Sequence, residues 1–479
     1  MSISSLAPAF PLILLFGAAC TILLVGLYAG DRRTGLVYAL TQIALIGAAA
    51  LVIWMSRSGP VITLHGMFIK DRLSDLLNVT VCMLVFSVLV YSRPYLRDRD
   101  LHRSEYLVLA LFGTVGMMVI NSAANFLSLY LGLELMSLSL YAMVAFHRDS
   151  ARATEAAMKY FVLGALASGM LLYGLSMLYG ATGSLSIATV ASKAAMMAPG
   201  NLILIFGLVF VVVGLSFKIG AVPFHMWIPD VYDGAPTAVT LYVSTAPKVA
   251  ALALFFRLLV TGLHTLSPSW QTMLAIVAFL SMGVGSVIAI AQTSLKRMLA
   301  YSAIAHMGFA LLGLVAAGRA GYADALFYLL VYAVMSLGAF GLAVLLSRRD
   351  VEVEDIDDLS GLNQKSPWTA FLMLLLMFAM AGVPPTAGFY AKLVVIQAVV
   401  DAGFSWLAVA AVLFSVIGAY YYLRVIKVMY FDPPRDDRPL SLPLDGRLLL
   451  GLNGLSMLVL TPWLGTLIAV CRTAVRGLP

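Results

Sequence analysis

Three lysines and one glutamate lie inside long apolar stretches of the sequence. Lys218 occurs in VVVGLSFKIGAVPFHMW, Lys248 in VSTAPKVAALAL and Lys392 in GVPPTAGFYAKLVV, while Glu134 lies in the middle of NFLSLYLGLELMSLSLYAM. An ionisable side chain at the centre of a membrane helix costs about 2.5–3.5 kcal/mol on insertion scales. These four residues therefore predict a function that requires charge at membrane depth.

Each of the three lysines shares its apolar stretch with proline. The pairs are Lys218 with Pro223, Lys248 with Pro247, and Lys392 with Pro384 and Pro385. Proline lacks an N–H and leaves the carbonyl four residues earlier without its helical partner, which predicts free carbonyls at Ile219, Met380 and Ala381. Such unwound backbone can hold water at membrane depth.

This pattern is typical of a proton relay. Burial favours the neutral form of a lysine and a nearby carboxylate favours the charged form, so a row of lysines with one glutamate can pass a proton stepwise. The alternative is that Glu134 and Lys218 form a structural ion pair, while Lys248 and Lys392 snorkel or line an inert cavity. Pairing with one glutamate accounts for only one of the three lysines.

Three further residues are secondary candidates. His306, in YSAIAHMGF, could relay protons because histidine titrates near neutrality, or it could be a hydrogen-bonded core residue. Lys159 follows Glu155 at the i,i+4 spacing of a local ion pair, or could lie between Glu134 and Lys218. His225 follows Lys218 by seven residues, but the intervening proline makes a shared helix face unsafe to assume.

Two other features receive structural interpretations. Arg257, near the end of its apolar stretch, is expected to snorkel towards the interface. The run from Tyr420 to Tyr422 is expected to serve packing and interface anchoring, because consecutive side chains point in different directions on a helix.

The elements that position these residues are transmembrane helices. Of 479 residues, 62% are hydrophobic and 11% are charged, whereas a soluble domain has about 25% charged residues. The sequence predicts an all-α polytopic membrane protein with about 14 spans and excludes a soluble enzyme. The predicted spans are 8–29, 34–56, 73–92, 105–121, 124–146, 157–180, 201–222, 236–262, 271–292, 298–318, 323–347, 368–400, 403–430 and 446–471.

Several functional classes are excluded. Cys20, Cys82 and Cys471 lie far apart with no Cys-x-x-Cys pairing, so neither a metal nor an iron–sulfur site is expected. There is no phosphate-binding loop and no dinucleotide fingerprint. The net charge of +7 resides in loops, where it sets topology rather than binding nucleic acid.

Loop charges predict the orientation. Loops after odd-numbered spans hold 19 of the 30 basic residues, including Arg32, Arg33, Arg348 and Arg349, whereas loops after even-numbered spans and the termini hold eight. The positive-inside rule then places odd loops in the cytoplasm and both termini outside. The first span lacks signal-peptide features and is expected to be retained.

Two connecting segments are less apolar. Arg348 to Lys365 contains five acidic residues and is expected to be a solvated cytoplasmic connector with partner contacts. Residues 180–200 are expected to contain a short helix at the membrane interface.

The proline breaks hint at internal duplication. Pro223 in span 7 aligns with Pro384 in span 12, and each lies in an otherwise apolar helix. The two sites are five spans apart. Because five is odd, corresponding spans of the two units would cross the membrane in opposite directions, so one unit is inverted relative to the other. Broken helices in two inverted halves indicate a transport site.

Four stretches carry a family resemblance. Residues 132–143, 217–251, 295–309 and 382–393 closely resemble the antiporter-like membrane subunits of respiratory complex I, the bacterial NADH:quinone oxidoreductase. The likeness covers most of spans 4 to 13. The chain is most similar to the N type of these subunits, because it ends soon after span 14, without the lateral helix of the L type. It also has Lys392 where the M type has glutamate.

The resemblance implies a specific architecture and set of roles. It implies two inverted five-helix repeats (residues 105–262 and 263–431) with broken helices 7 and 12, preceded by three spans (1–104) and followed by a final span (432–479). It implies that Glu134 and Lys218 form the pair that senses coupling, Lys248 and His306 link the halves, and Lys392 serves the outer exit.

The leading hypothesis is a proton-translocating subunit in a bacterial inner membrane. It would hold no cofactor, with NADH, FMN, iron–sulfur clusters and quinone in partner subunits; neighbouring antiporter-like and small membrane subunits and lipids would be its contacts. The alternatives are a subunit of a multi-subunit cation/proton antiporter, and a scaffold in which buried charges only fix helix register.

Overall fold

The computed structural model describes residues 6–29, 34–56, 59–198, 200–347, 352–435 and 442–479, and most of them are helical. Long apolar runs favour helices, because a helix satisfies its own backbone hydrogen bonds without water. The helices of the first half are α1 (Phe10–Ala29), α2 (Thr34–Met55), α3 (Arg72–Asp98), α4 (Ser104–Asn121), α5 (Phe126–Val144), α6 (Ala151–Thr182), α7 (Ile187–Ala195), α8 (Leu202–Ile219), α9 (Trp227–Gly234), α10 (Thr237–Ser244) and α11 (Ala246–Phe255). Those of the second half are α12 (Ser267–Ile290), α13 (Leu295–Ala316), α14 (Gly318–Leu346), α15 (Leu362–Lys365), α16 (Pro367–Ala381), α17 (Ala387–Asp401), α18 (Ser405–Phe431), α19 (Leu444–Val459) and α20 (Leu464–Ala474).

The fold is an all-α polytopic membrane fold, as the sequence predicts. Within the described residues, 12 helices are long and apolar enough to cross a membrane, and a pair bent by 57°, Leu444–Val459 with Thr461–Gly477, raises the number to 13. Pro367–Ala381 and Ala387–Asp401 occupy the twelfth predicted span but are each too short to qualify alone. The count of fourteen therefore stays a prediction.

The orientation also stays a prediction. Arg32, Arg33, Arg348 and Arg349, which contribute to the charge count, lie outside the described residues. The short helix expected within residues 180–200 is α7. A small antiparallel hairpin of β1 (Val61–Thr63) and β2 (Phe68–Lys70) connects α2 to α3.

Two helical hairpins, one in each half of the chain, repeat the same close contact. A Cβ on Gly116 of α4 would lie 2.5 Å from the backbone nitrogen of Met136 in α5. A Cβ on Gly285 of α12 would lie 2.6 Å from the corresponding nitrogen of Ala305 in α13. Both crossings require glycine, because any side chain would collide with backbone.

The connecting segments repeat in the same register as these hairpins. In the first half the Phe126 N–H donates to the Leu185 carbonyl at 2.9 Å, and in the second half the Leu295 N–H donates to the Glu354 carbonyl at 2.7 Å. The acidic segment Arg348–Lys365, of which residues 352–365 are described, is thus tied to the start of α13. Asp355, Asp357 and Asp358 are exposed, as a solvated connector predicts, whereas Val353 and Ile356 are buried.

Candidate functional site

Helix α8 ends at Ile219, three residues before the end of its predicted span. Gly220 adopts φ +82°, and the Ala221 N–H donates to the Ser216 carbonyl at 2.8 Å, which closes the helix end. The Ile219 carbonyl, predicted to lose its helical partner, accepts a 2.7 Å hydrogen bond from Nζ of Lys248. Lys248 is 1% exposed, so a buried ammonium group lies directly at the break.

The break between α16 and α17 has the same construction. Gly382 adopts φ +84°, and the Ala381 carbonyl accepts a 3.0 Å hydrogen bond from Nζ of Lys392. A second hydrogen bond of 3.0 Å joins this nitrogen to Oγ of Ser415 in α18. The predicted free carbonyl of Ala381 is therefore also occupied by a buried lysine.

The two breaks correspond when Gly220 is aligned with Gly382. These glycines share the left-handed conformation and the same closing hydrogen bonds. This register pairs Pro223 with Pro385, so the sequence alignment of Pro223 with Pro384 is wrong by one position. Adjacent prolines left the sequence comparison ambiguous, and the position of the helix end resolves it.

Lys218, one residue before Ile219, contacts two hydroxyl groups. Its Nζ donates to Oγ of Ser137 in α5 at 3.0 Å and to Oγ of Ser168 in α6 at 3.1 Å. Among the ion pairs of the described residues, none joins Lys218 to Glu134, and Oε1 of Glu134 is buried without a hydrogen-bond partner. The direct ion pair of the alternative interpretation is therefore absent among the described residues. Ser137 lies one helical turn after Glu134 in α5.

His306 lies in a buried cluster of tyrosines. Its Nδ1 is 2.7 Å from the hydroxyl of Tyr328 in α14, and its Nε2 is 3.0 Å from the hydroxyl of Tyr422 in α18. The Tyr422 hydroxyl also bonds to Ser302. His306 is thus hydrogen-bonded in the core, and the same bonds connect three helices around a titratable ring.

Tyr422 was not recognised as a site residue from the sequence. Tyr420 is 58% exposed, as an anchoring role predicts, whereas Tyr422 is buried and contacts His306. The exposure of Tyr420 therefore fits interface anchoring, whereas Tyr422 is packed in the core, and packing alone is an incomplete account of it. Helical geometry was the available signal, because consecutive side chains point in different directions and Tyr420 and Tyr422 therefore cannot share one environment.

Two secondary candidates lie away from the lysine row. Lys159 forms the predicted ion pair with Glu155 at 2.9 Å and a second with Asp230 at 3.0 Å, and its side chain is 44% exposed. These contacts direct it, from the N-terminal third of α6, towards Glu155 and Asp230 rather than between Glu134 and Lys218. His225 follows the end of α8, so it does not continue the helical face of Lys218.

Arg257 does not snorkel. It is 3% exposed, and its guanidinium binds the Asp71 carboxylate through two hydrogen bonds of 2.6 and 2.9 Å and the Asn121 carbonyl at 2.7 Å. Burial alone would raise the pKa of Asp71, but the Arg257 charge and hydrogen bonds from Ser74 hold it below its ordinary value. The snorkelling expectation failed because the partner is distant in sequence.

Glu352 lies in the loop after the eleventh predicted span and contacts residues of three helices. It accepts hydrogen bonds from the hydroxyls of Tyr95 in α3, at 2.9 Å, and Thr237 at the start of α10, and lies 3.7 Å from Nζ of Lys296 in α13. Burial favours a higher pKa for Glu352, but the Lys296 charge and these hydrogen bonds lower it below the usual glutamate value. A polar cavity of about 440 Å³ borders this cluster.

The sequence profile described as NADH:quinone oxidoreductase/Mrp antiporter, TM matches residues 123–418, which include the seven candidate residues. The chain belongs to the NADH:quinone oxidoreductase/Mrp antiporter transmembrane family. Curated members of this family named NADH-quinone oxidoreductase subunit N are 57% identical in Thioalkalivibrio sulfidiphilus, with 98% of each chain covered, and 56% identical in Thiobacillus denitrificans, with 99% of this chain and 98% of the relative covered. The resemblance to the N type is thereby confirmed.

Solved structures agree with this family fold. One chain of respiratory complex I from Thermus thermophilus with bound aureothin superimposes with a TM-score of 0.83 at 30% identity, covering 97% of this chain and 100% of that one. A chain of the Mrp complex from Dietzia sp. has a TM-score of 0.86 at 22% identity, covering 99% and 97%. The second likeness concerns the fold alone. Within the described residues, no group of three or more His, Cys, Asp or Glu side chains could hold a metal ion.

Proposed function

We propose that the chain is a proton-translocating membrane subunit of an NADH:quinone oxidoreductase and that protons move along its buried Glu/Lys row. The observation that carries this proposal is the pair of buried lysines, Lys248 and Lys392, whose ammonium groups occupy the carbonyls at two helix breaks. An inert structural role would not require the same costly arrangement twice.

The relay begins at Glu134. A proton or positive charge arriving near Glu134 weakens its attraction for the ammonium of Lys218, which binds Ser137, one helical turn from Glu134. Lys218 then releases its proton towards Lys248, which is bound to the neighbouring Ile219 carbonyl. Because attraction between charges is strong in a low-dielectric interior, a small displacement near Glu134 is enough to change which group holds the proton.

His306 continues the path into the second half. The Ser336 hydroxyl of α14 donates to the Ser244 carbonyl near Lys248 at 3.3 Å, and the Tyr332 ring, one turn from Ser336, lies 5.0 Å from the His306 ring. Lys392 lies close enough to act electrostatically on His306. Protons leave through Lys392 in this scheme. Lys159, in the N-terminal third of α6, and His225, beyond the end of α8, remain secondary candidates.

The energy must come from partner subunits. Moving one charge against 100 mV requires about 2.3 kcal/mol, and we assign this chain no cofactor. NADH, FMN, iron–sulfur clusters and quinone belong to the neighbouring subunits in this proposal, and the contacts of this chain with antiporter-like and small membrane subunits transmit the work. Lipids cover the remaining exposed apolar surface.

The proposal also assigns topology and domain organisation. Residues 105–262 and 263–431 form inverted five-helix repeats, which the recurring hairpin contacts, connector hydrogen bonds and helix breaks support. Residues 1–104 and 432–479 flank them. The chain lies in a bacterial inner membrane with both termini in the periplasm, an orientation that rests on the loop charges.

The direct test uses the assembled complex in sealed vesicles. Lys218→Ala is expected to lower both NADH:quinone turnover and the number of protons translocated per NADH, while Lys218→Arg, which cannot release its proton, behaves in the same way. Flavin and iron–sulfur absorbance in the purified complex verifies assembly. Wild-type turnover and translocation in Lys218→Ala would refute the relay.

The alternative, a subunit of a multi-subunit cation/proton antiporter, is not favoured. Its support is the fold shared with the Mrp complex chain at 22% identity, whereas the relatives at 57% and 56% identity are named subunit N. Purification of this chain without flavin and iron–sulfur absorbance would support the antiporter.

A further inference from the structure

Helix α14 carries a stripe of polar side chains that the relay described above uses only in part. Asp324, Tyr328, Tyr332 and Ser336 follow one another at intervals of four residues, which places them on one face of the helix. All four are buried, and Asp324 is 8% exposed. Polar residues repeated at this spacing within an apolar span require a reason.

The stripe contacts the relay at two points. At one end, Ser336 donates to the Ser244 carbonyl near Lys248. In the middle, the Tyr328 hydroxyl lies 2.7 Å from Nδ1 of His306. Asp324 lies one turn before Tyr328 on the same face of the helix, and helical side chains generally lean towards the helix N-terminus.

At its other end the stripe opens into a cavity. Asp324 lines a space of about 470 Å³ between α14, α17 and α20, together with Tyr390, Gln397, Asp401 and Arg472. Within the described part of the chain, Asp324 has neither a hydrogen bond nor an ion pair, and Arg472 acts on it only as a more distant charge. The cavity has room for several water molecules, and the carboxylate is free to bind a proton from them.

This cavity lies on the side of α17 away from Lys392. Tyr390, Val394 and Gln397 line it at intervals of four and three residues, which defines one face of α17. Lys392 differs from Tyr390 by two positions, or roughly 200° around the helix, and points to Ala381 and Ser415 instead. A proton at His306 therefore meets two separate routes.

We propose that α14 provides an outward branch of the relay, from His306 through Tyr328 to Asp324, and that the cavity beside Asp324 is its outlet. The protonated His306 gives its Nδ1 proton to the Tyr328 oxygen while the Tyr328 hydroxyl proton passes to the Asp324 carboxylate, directly or through cavity water. Asp324 then releases that proton to the water outside. One proton leaves the imidazolium, one reaches the exterior, and both Tyr328 and Asp324 return to their starting forms.

This inference rests on the proposed function, so its test includes Lys218→Ala as a reference. In vesicles containing the assembled complex, we expect Asp324→Asn and Tyr328→Phe to lower the protons released per NADH oxidised, but by less than Lys218→Ala does, because the route through Lys392 stays open. Asp324→Glu, which restores a carboxylate, should return the ratio to wild type. Asp445→Asn, which changes an exposed carboxylate that does not line this cavity, should leave it at the wild-type value.

The outcomes separate the two proposals. A wild-type ratio in Asp324→Asn with a lowered ratio in Lys218→Ala would overturn the branch and leave the proposed function standing. Wild-type ratios in both variants would refute the proposed function itself. If Asp324→Asn prevents assembly, Tyr328→Phe and Asp324→Glu decide the question, and a ratio below wild type for Asp324→Glu in an assembled complex would contradict a proton-binding role.

Discussion

The ammonium nitrogen of Lys248 lies 2.7 Å from the carbonyl oxygen of Ile219, at the point where α8 ends. This bond needs only one N–H, which a lysine has in both its charged and its neutral form. Lys248 can therefore lose and regain a proton without losing its position. The same holds for Lys392 at the Ala381 carbonyl, and this property makes a helix break a suitable place for a relay lysine.

Ser137 is expected to connect Glu134 to Lys218. Its hydroxyl is uncharged but accepts a 3.0 Å hydrogen bond from the Lys218 ammonium. A hydrogen bond to a charged group is worth about 1.5–3 kcal/mol. We therefore expect Ser137→Ala to lower proton translocation per NADH in assembled complex. Ser139→Ala removes a hydroxyl that bonds only within α5, to the Leu135 carbonyl, and should have no such effect. Equal behaviour of the two variants would contradict the connection.

Tyr422 is expected to hold His306 in its relay position, since its hydroxyl lies 3.0 Å from the ring. Tyr422→Phe keeps the ring and removes the hydroxyl, so we expect slower NADH-driven proton translocation with normal assembly. Tyr420→Phe makes the same change at an exposed neighbouring position and is the matched control. If the Tyr422 variant translocates protons as fast as the Tyr420 variant, the hydrogen bond has no role in the relay.

The two breaks and the four ionisable residues of the proposed relay could be identified from the sequence because their signals are local. Lys218, Lys248 and Lys392 each lie near a proline in an apolar stretch, and Glu134 lies deep within one. Charge at membrane depth and the missing N–H of proline are properties of the residues themselves. No tertiary information was needed.

The partners of these residues could not be predicted in the same way. Whether Ser137, Tyr328 or Tyr422 faces a relay residue depends on the rotation of one helix against another, which hydropathy does not encode where every face is apolar. Arg257 was misjudged for a similar reason, since its partner Asp71 lies in a distant part of the chain. The structure supplies these long-range contacts.

Glu352 is expected to make the stability of the folded chain depend on pH. Its pKa is lowered in the folded state by Lys296 and by hydrogen bonds from Thr237 and Tyr95, despite burial that opposes this. Its contacts therefore stabilise the folded chain fully above the ordinary glutamate pKa of about 4.3, and the stabilisation is lost as the pH falls through the lower folded value.

Thermal unfolding of the purified complex in detergent measures this dependence. Glu352→Gln should unfold at a lower temperature than wild type at neutral pH, and the difference should shrink below about pH 4. Glu155→Gln alters a more exposed carboxylate, whose side chain is 68% accessible, and should show little difference at either pH. If the difference in unfolding temperature between Glu352→Gln and wild type does not change with pH, the stabilising role of the Glu352 carboxylate is contradicted.

Arg257 is expected to be a major source of stability. Removing one partner of a buried ion pair typically costs about 3–5 kcal/mol, because the other charge stays buried and uncompensated. Arg257→Met should therefore strongly reduce the yield or unfolding temperature of the complex, whereas Arg319→Met, at an exposed position, should not. Comparable stability of the two variants would show that Asp71 does not depend on Arg257.

The central claim is that a lysine at a helix break carries protons rather than only closing the break. Lys193 provides the control, because it donates a 2.6 Å hydrogen bond to the Thr182 carbonyl at the end of α6, away from both breaks. The decisive measurement is the number of protons translocated per NADH oxidised in vesicles containing assembled complex with Lys248→Met or Lys193→Met. We predict a lowered ratio for Lys248→Met and a wild-type ratio for Lys193→Met. A wild-type ratio for Lys248→Met would contradict the account.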